Sequence, residues 1–179
     1  GLLVGAQHTS LLDWNLRNFH DPRNYERLDH NGLPMPDILA VNGPKAMETA
    51  IENGYPECRL FEVEALRYLY LEDFLKEKAV FQIKKNDGLR LLVLGDYLES
   101  NTRNQMDLLL RTLVSFPMDI KIIVKPHPAG MIDPEDYPEI DIKVSSNSLQ
   151  DLLGHCDLAY SSPVTSAAVD AYCCGVPVI

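Results

Sequence analysis

One short segment, IIVKPHP at residues 122–128, constrains the possible fold of this chain more than any other segment. Its apolar, β-branched start predicts a buried strand. The two prolines that follow cannot donate to a sheet ladder, so the strand must end there. Lys125 and His127 are therefore expected at the carboxyl end of a strand, which is the edge where open α/β sheets bind their ligands.

The rest of the chain alternates short apolar segments with segments of helical periodicity. Strands are predicted at Leu2–Val4, Ile38–Val41, Arg59–Val63, Leu91–Leu94, Ile120–Val124, Ile140–Val144, Asp157–Tyr160 and Val176–Ile179. Helices are predicted from Pro44 to Gly54, within Glu64–Glu77, from the Gly95 loop to about Phe116, from Ser148 to His155 and at Val164–Cys174. This alternation predicts an α/β fold with Rossmann-like, doubly wound parallel sheets.

The charged, turn-forming segment KKNDG at residues 84–88 is the predicted domain boundary. It divides the chain into residues 1–83 and 84–179. The sequence opens directly on a strand-like run and closes on another, so we expect a fragment of a larger enzyme, truncated at both ends.

Composition excludes several classes of function. The formal net charge is −10, whereas a general nucleic-acid binder needs a basic surface. No apolar stretch reaches the roughly 20 residues of a membrane span, and no signal peptide opens the chain. The four cysteines have no CxxC spacing, so neither a zinc site nor a disulfide framework is expected. We expect a cytoplasmic protein without a metal; the acidic residues between positions 133 and 139 are interpreted as a solvated loop.

A group of hydroxyls precedes the last predicted helix: Ser161, Ser162, Thr165 and Ser166. Hydroxyls and the unpaired N–H groups of a first helical turn can bind an anion. An ordinary helix N-cap is the alternative, and such caps are far commoner. The group is expected at the same sheet edge as Lys125 and His127, which favours a site for a phosphorylated ligand.

Two further strand exits carry polar residues. Gly95 permits close approach of the backbone, and Asp96 could contact a ribose or sugar hydroxyl. The loop is not a GxGxxG fingerprint and the chain has no GxxxxGK[ST] motif, which argues against classical NAD binding and P-loop chemistry. His8 follows the first strand and either belongs to a site or caps the segment after it.

Five segments in order carry a family resemblance: Gln7-His8, Val63–Tyr68, Lys125–Pro128, Tyr160–Ser162 and Gly175–Val178. Together they resemble GT-B glycosyltransferases of bacterial surface-carbohydrate biosynthesis, of the capsule and O-antigen type. The layout is also similar to bacterial sialyltransferases and CDP-glycerol glycerophosphotransferases.

The resemblance implies a GT-B fold in which His127, Ser161 and Ser162 hold the phosphate of a nucleotide-sugar donor. His8 would be a general base or would position the acceptor. Residues 1–83 would form the carboxyl-terminal part of the acceptor-side domain with a connecting helix, and residues 84–179 an incomplete donor domain. The nucleotide-sugar would be a substrate, with no cofactor.

The implied activity is transfer of the sugar to a surface polysaccharide, on a glycan or lipid-linked acceptor. This is compatible with peripheral membrane association of the intact enzyme. The first acceptor-domain strands and the last donor-domain helices are absent, so the chain could fold without being active. A sugar-nucleotide epimerase of the same fold and a non-catalytic nucleotide-binding module are the alternatives.

Overall fold

The computed structural model describes residues 1–8, 19, 21, 35–77, 88–115, 119–162 and 165–179. The chain divides into two compact units, residues 1–69 and 70–179. Of the predicted boundary at residues 84–88, only Gly88 lies inside the described residues. Within them, no helix is both long and apolar enough to cross a membrane.

The described residues of the first unit form a parallel three-stranded sheet and a crossover helix between its second and third strands. Its elements are β1 (Val4–Ala6), β2 (Ile38–Asn42), α1 (Pro44–Glu52) and β3 (Leu60–Val63), with sheet order β1-β2-β3. The bounds of α1 confirm the sequence prediction. Gly43 (φ 88°) precedes Pro44 at the first helical turn, and Gly54 (φ 88°) adopts a left-handed conformation just beyond the end. Val41 and Leu60 pack with the buried face of α1.

The second unit contains a larger parallel sheet with helical crossovers. Its elements are α2 (Tyr70–Glu77), β4 (Leu89–Leu94), α3 (Glu99–Leu113), β5 (Ile120–Lys125), β6 (Ile142–Val144), α4 (Leu149–Leu153), β7 (Leu158–Ser161) and α5 (Ala167–Cys173). The sheet order is β6-β5-β4-β7, and every pairing is parallel. Val178 forms a parallel bridge with Ala159, which places the predicted last strand beside β7.

The strand order reverses direction at β4. The chain proceeds from β4 to β5 and β6 on one side and then returns to place β7 on the other side. Ligands of open α/β sheets bind outside the carboxyl ends of the strands at such a switch point. The predicted Rossmann-like α/β class is confirmed, and the switch point lies between β4 and β7.

The core of the second unit explains why β4 is central. Leu91, Leu92, Val93 and Leu94 are all buried, as expected of a strand covered on both faces. From α3, Met106 and Leu109 pack with Leu91 and Val93 in one core cluster, which also contains residues of β5 and β6. Each fully buried aliphatic side chain of this kind contributes about 1.5–3 kcal/mol.

The amino-terminal edge of this sheet is held by an ion pair. Arg90 donates through Nε and Nη2 to the Asp157 carboxylate at 2.9 and 2.6 Å, and its backbone N–H also donates to Asp157 at 2.9 Å. These hydrogen bonds lower the pKa of Asp157 although burial opposes them. The pair fixes β4 against β7 at the end opposite their carboxyl termini.

Several predicted elements have different bounds in the structure, and the first strand covers Val4–Ala6 instead of the predicted Leu2–Val4. The β6 strand begins at Ile142 because the N–H of Ile140 bonds to Tyr137 in a preceding turn. The predicted helix within Glu64–Glu77 is a 3₁₀ turn at Leu66–Tyr68 followed by α2. The last helix, α5, begins at Ala167, so Thr165 and Ser166 precede it. Val164, its predicted first residue, lies outside the described part of the chain.

Candidate functional site

The candidate site lies at the carboxyl edge of the second sheet, around the switch point. Gly95 and Asp96 directly follow β4, Lys125 ends β5 and is followed by His127, and Ser162 directly follows β7. We call these five residues the exit cluster. The structure therefore brings together five of the nine residues that the sequence analysis nominated.

Asp96 joins the ends of two strands within this cluster. Its side chain is almost entirely buried, with 2% of the residue exposed. Oδ1 accepts a hydrogen bond from the backbone N–H of Leu98 at 2.9 Å, and Oδ2 accepts one from the hydroxyl of Ser162. The backbone N–H of Asp96 donates to Oγ1 of Thr102 at 2.9 Å. Asp96 thus links the β4 exit to the β7 exit through its carboxylate and to α3 through its backbone N–H.

The environment of Asp96 favours its ionised form. Burial alone would raise its pKa, but hydrogen bonds from Ser162, Leu98 and the Asn101 side chain outweigh burial, and the charge of His127 acts in the same direction. The pKa of Asp96 is therefore below its ordinary value. A buried carboxylate with both oxygens engaged has little surface for a ligand, so its chemistry suits positioning of the loops rather than contact with a phosphate.

Gly95 allows the β4 exit to lie directly against the β5 exit. Its N–H donates to the carbonyl of Lys125 at 2.9 Å. A Cβ at position 95 would lie 3.0 Å from the backbone nitrogen of His127 and 3.1 Å from both the Lys125 carbonyl and Pro126 Cα. Because these neighbours are backbone atoms, a side chain at this position would displace the segment that carries His127.

His127 presents a hydrogen-bond donor at this edge. Its Nδ1 accepts a hydrogen bond from the backbone N–H of Ala129 at 3.1 Å, so a neutral imidazole carries its proton on Nε2. The Tyr97 ring lies edge-on to the imidazole, with centroids 5.4 Å apart and planes at 75°. His127 is half-buried, and the hydrogen bond from Ala129 sets both the tautomer and the direction of Nε2.

Lys125 adds a positive charge to the same edge. Its ammonium makes a long hydrogen bond of 3.4 Å to the backbone carbonyl of Ser146, in the loop after β6. The residue is half-buried. A contact of this length costs little to replace, so the ammonium is able to turn toward an anionic ligand.

The four nominated hydroxyls have different partners. Ser161 donates to the carbonyl of Ser162 at 2.9 Å, and Ser162 donates to Asp96. A hydroxyl has one proton, so in this arrangement neither serine donates to a phosphate. Thr165 Oγ1 accepts from the N–H of Ala167 at 3.3 Å, which leaves its own proton for another acceptor. Ser166 occupies the N-cap position of α5 but makes no side-chain capping bond.

His8 belongs to the first unit, where it is exposed just after β1. The preceding Gln7 secures this strand exit. Its N–H donates to the carbonyl of Ala40 at 2.8 Å, and its side-chain oxygen accepts from the N–H of Asn42 at 2.8 Å. The structure thus holds the backbone beside His8 at the carboxyl edge of the first sheet.

Two buried polar residues of α3 escaped the sequence analysis. Thr102 is fully buried and supports the backbone of Asp96, and Gln105 donates through Nε2 to the carbonyl of Tyr160 in β7 at 2.9 Å. Both lie on the same helix face as Met106 and Leu109. The sequence signal for both residues was the presence of polar side chains on an otherwise apolar face of the predicted helix.

The described residues contain no group of three or more His, Cys, Asp or Glu placed to hold a metal ion. The acidic residues after β5 make hydrogen bonds within the protein instead. Asp133 caps a short 3₁₀ turn at Pro134–Asp136, and Asp136 accepts from Arg103 of α3 at 2.8 Å.

No family model matches the sequence, and no curated protein sequence matches it significantly. Among solved structures, the chain is similar to UDP-N-acetylglucosamine 2-epimerase from Rickettsia bellii, with a TM-score of 0.54 and 14% sequence identity. The match covers 80% of this chain and 42% of that chain, so this chain spans less than half the length of that structure. The shared feature is the fold, an α/β architecture of Rossmann-like parallel sheets as in GT-B-like enzymes.

Proposed function

We propose that the exit cluster binds the phosphates of a nucleotide-sugar and that the protein acts as a glycosyltransferase. The sugar would be transferred from this donor to a surface polysaccharide, on a glycan or lipid-linked acceptor. The observation that carries the proposal is that Lys125 and the oriented imidazole of His127 both lie at the exit of β5, next to the switch point of the second sheet.

The charges of the cluster suit this chemistry. Departure of a nucleoside diphosphate places negative charge on a phosphate oxygen, and donors aimed at that oxygen stabilise the transition state. His127 would donate through Nε2, and Lys125 would supply a positive charge. Because the whole chain carries a net charge of −10, an anionic ligand depends on such local donors.

Ser162 would act on the ligand indirectly, through the position of the backbone around it. Ser162 holds Asp96, and the Asp96 loop carries the segment against which His127 is packed. His8, in the first unit, is the proposed general base that would remove the proton of the acceptor hydroxyl.

A thermal-shift screen tests ligand class directly. The full-length protein would be heated with CMP, CDP, UDP, GDP and their sugar conjugates at a fixed concentration. A ligand that binds only the folded state stabilises it by about 2.7 kcal/mol at one hundred times its Kd. We expect a rise in Tm with one nucleotide family, and a flat response to the whole panel would contradict the proposal.

A sugar-nucleotide epimerase is the second candidate, because a solved epimerase shares the fold. Incubating the full-length protein with the stabilising donor, with and without a glycan acceptor, separates the two activities. Epimerisation changes the donor sugar in the absence of acceptor, whereas transfer consumes the donor only when an acceptor is present. Binding without either reaction would identify a nucleotide-binding module.

A further inference from the structure

An apolar lip borders the exit cluster in the second unit. It consists of Tyr97 and Leu98, which follow β4, and Met131, which follows β5; they are 67%, 52% and 66% exposed. The two turns that carry them are in contact, since a Cβ on Gly130 would lie 3.4 Å from the Asp96 carbonyl. Three large apolar side chains thus stand exposed on the two adjoining turns that leave β4 and β5.

Tyr97 has a defined position in this lip. The residues on either side of it are anchored, because Asp96 donates to Thr102 and the N–H of Leu98 donates to Asp96. Its ring also meets the His127 ring in an edge-to-face contact. Such a contact occupies one edge or one face, and with two thirds of the residue exposed another ring face remains open to solvent.

The distance between the two rings limits which part of a ligand Tyr97 can contact. A phosphate that accepts a hydrogen bond from His127 Nε2 would sit on the imidazole, whose centroid is 5.4 Å from the centroid of the Tyr97 ring. In a nucleotide-sugar, the pyranose is bonded directly to the phosphate, whereas the base is separated from it by a methylene and a ribose. The C–H groups of a pyranose face carry partial positive charge, which complements the negative face of an aromatic ring.

We propose that Tyr97 is a sugar-contacting residue, whose open ring face packs against the pyranose of the bound donor. The inference rests on the proposed function, since it requires a nucleotide-sugar at the exit cluster. It adds a specificity determinant: Tyr97 would distinguish the sugar conjugate from the bare nucleoside diphosphate.

The test compares two ligands by isothermal titration of the full-length protein: the nucleoside diphosphate that the screen identifies, and its hexose conjugate. The variants are Tyr97→Ala, Tyr97→Phe and Tyr172→Ala, the last removing a tyrosine that is 77% exposed on α5. We expect Tyr97→Ala to weaken the hexose conjugate about five- to tenfold and the bare diphosphate less than about twofold. Tyr97→Phe and Tyr172→Ala should bind both ligands as the unmodified protein does.

The outcomes separate the two proposals. An equal loss of both ligands in Tyr97→Ala, or no loss of either, would overturn the role of Tyr97 while leaving the phosphate site intact. Loss of the conjugate in Tyr97→Phe would also overturn it, because the hydroxyl rather than the ring would then make the contact. If the unmodified protein binds neither ligand, the proposed function itself fails.

Discussion

The hydroxyl of Ser162 donates a hydrogen bond to the carboxylate of Asp96, and this contact joins the carboxyl ends of β7 and β4. The two strands flank the position where the sheet order reverses, so the contact spans the place where a ligand is expected. Asp96 also orders the turn that leads into α3, through Leu98 and Thr102. One buried carboxylate therefore determines the relative position of two loops of the candidate site.

Removing either partner of this contact should destabilise the second unit. Ser162→Ala leaves a buried carboxylate with one donor fewer, and we expect a loss of about 1–3 kcal/mol in the free energy of unfolding. A double-mutant cycle with Asp96→Ala, measured by urea unfolding, should give a coupling of about 0.5–3 kcal/mol. Strictly additive losses would show that the two side chains act independently.

Low pH should reduce the free energy of unfolding, because Asp96 and Asp157 become protonated. The folded-state pKa of both Asp96 and Asp157 lies below the ordinary value, so each stabilises the fold fully above about pH 3.9. That stabilisation is lost as the pH falls through the lower folded-state pKa. Urea unfolding from pH 7 to pH 3 should show this decline, and Asp157→Asn should flatten it. An unchanged slope in that variant would refute the assignment for Asp157.

Gly95 should tolerate no side chain. In Gly95→Ala the new Cβ would press on backbone atoms of the β5 exit at 3.0–3.1 Å, and we expect a loss of about 1–3 kcal/mol. Nucleotide binding should weaken as well, because the segment that moves carries His127. Gly130→Ala is the matched control, since its Cβ would meet the Asp96 and Glu99 backbone at an ordinary 3.4 Å. Equal effects of the two substitutions on unfolding and binding would contradict this explanation.

The Arg90–Asp157 pair should affect stability without affecting the ligand. Asp157→Asn removes the charge from a buried side chain that accepts three hydrogen bonds from Arg90. We expect a loss of about 1–3 kcal/mol in the free energy of unfolding, because Arg90 is partly exposed to solvent. The pair lies at the amino-terminal edge, so the Kd for a nucleotide should stay within about twofold at a temperature where the variant is folded. A large change in Kd would mean that this edge is coupled to the site.

Much of the fold could be predicted from the sequence because the relevant sequence signals are local. The IIVKPHP segment combines a β-branched run with two prolines, and its strand ends at Lys125, one residue beyond the predicted end. Gly43, Pro44 and Gly54 likewise define the ends of α1 through their own backbone preferences. Such features depend on a few neighbouring residues and can be interpreted without knowledge of tertiary contacts.

The candidate site was less predictable because its central contact is not local. Asp96 and Ser162 are 66 residues apart, and they meet only because β7 returns to the side of β4 away from β5. The sequence predicted both residues at strand exits, but it contains no signal for which strands become neighbours. It also could not show that the Ser161 and Ser162 hydroxyls are engaged within the protein.

The central claim is that His127 binds the donor phosphate, and one titration tests it most directly. Nucleotide affinity would be measured by calorimetry for the full-length protein, for His127→Ala, and for His155→Ala, which changes an exposed histidine after α4. Loss of one hydrogen bond to a charged group predicts affinity about 10- to 100-fold weaker in His127→Ala and unchanged affinity in His155→Ala. The same Kd in His127→Ala as in the unmodified protein would contradict the account.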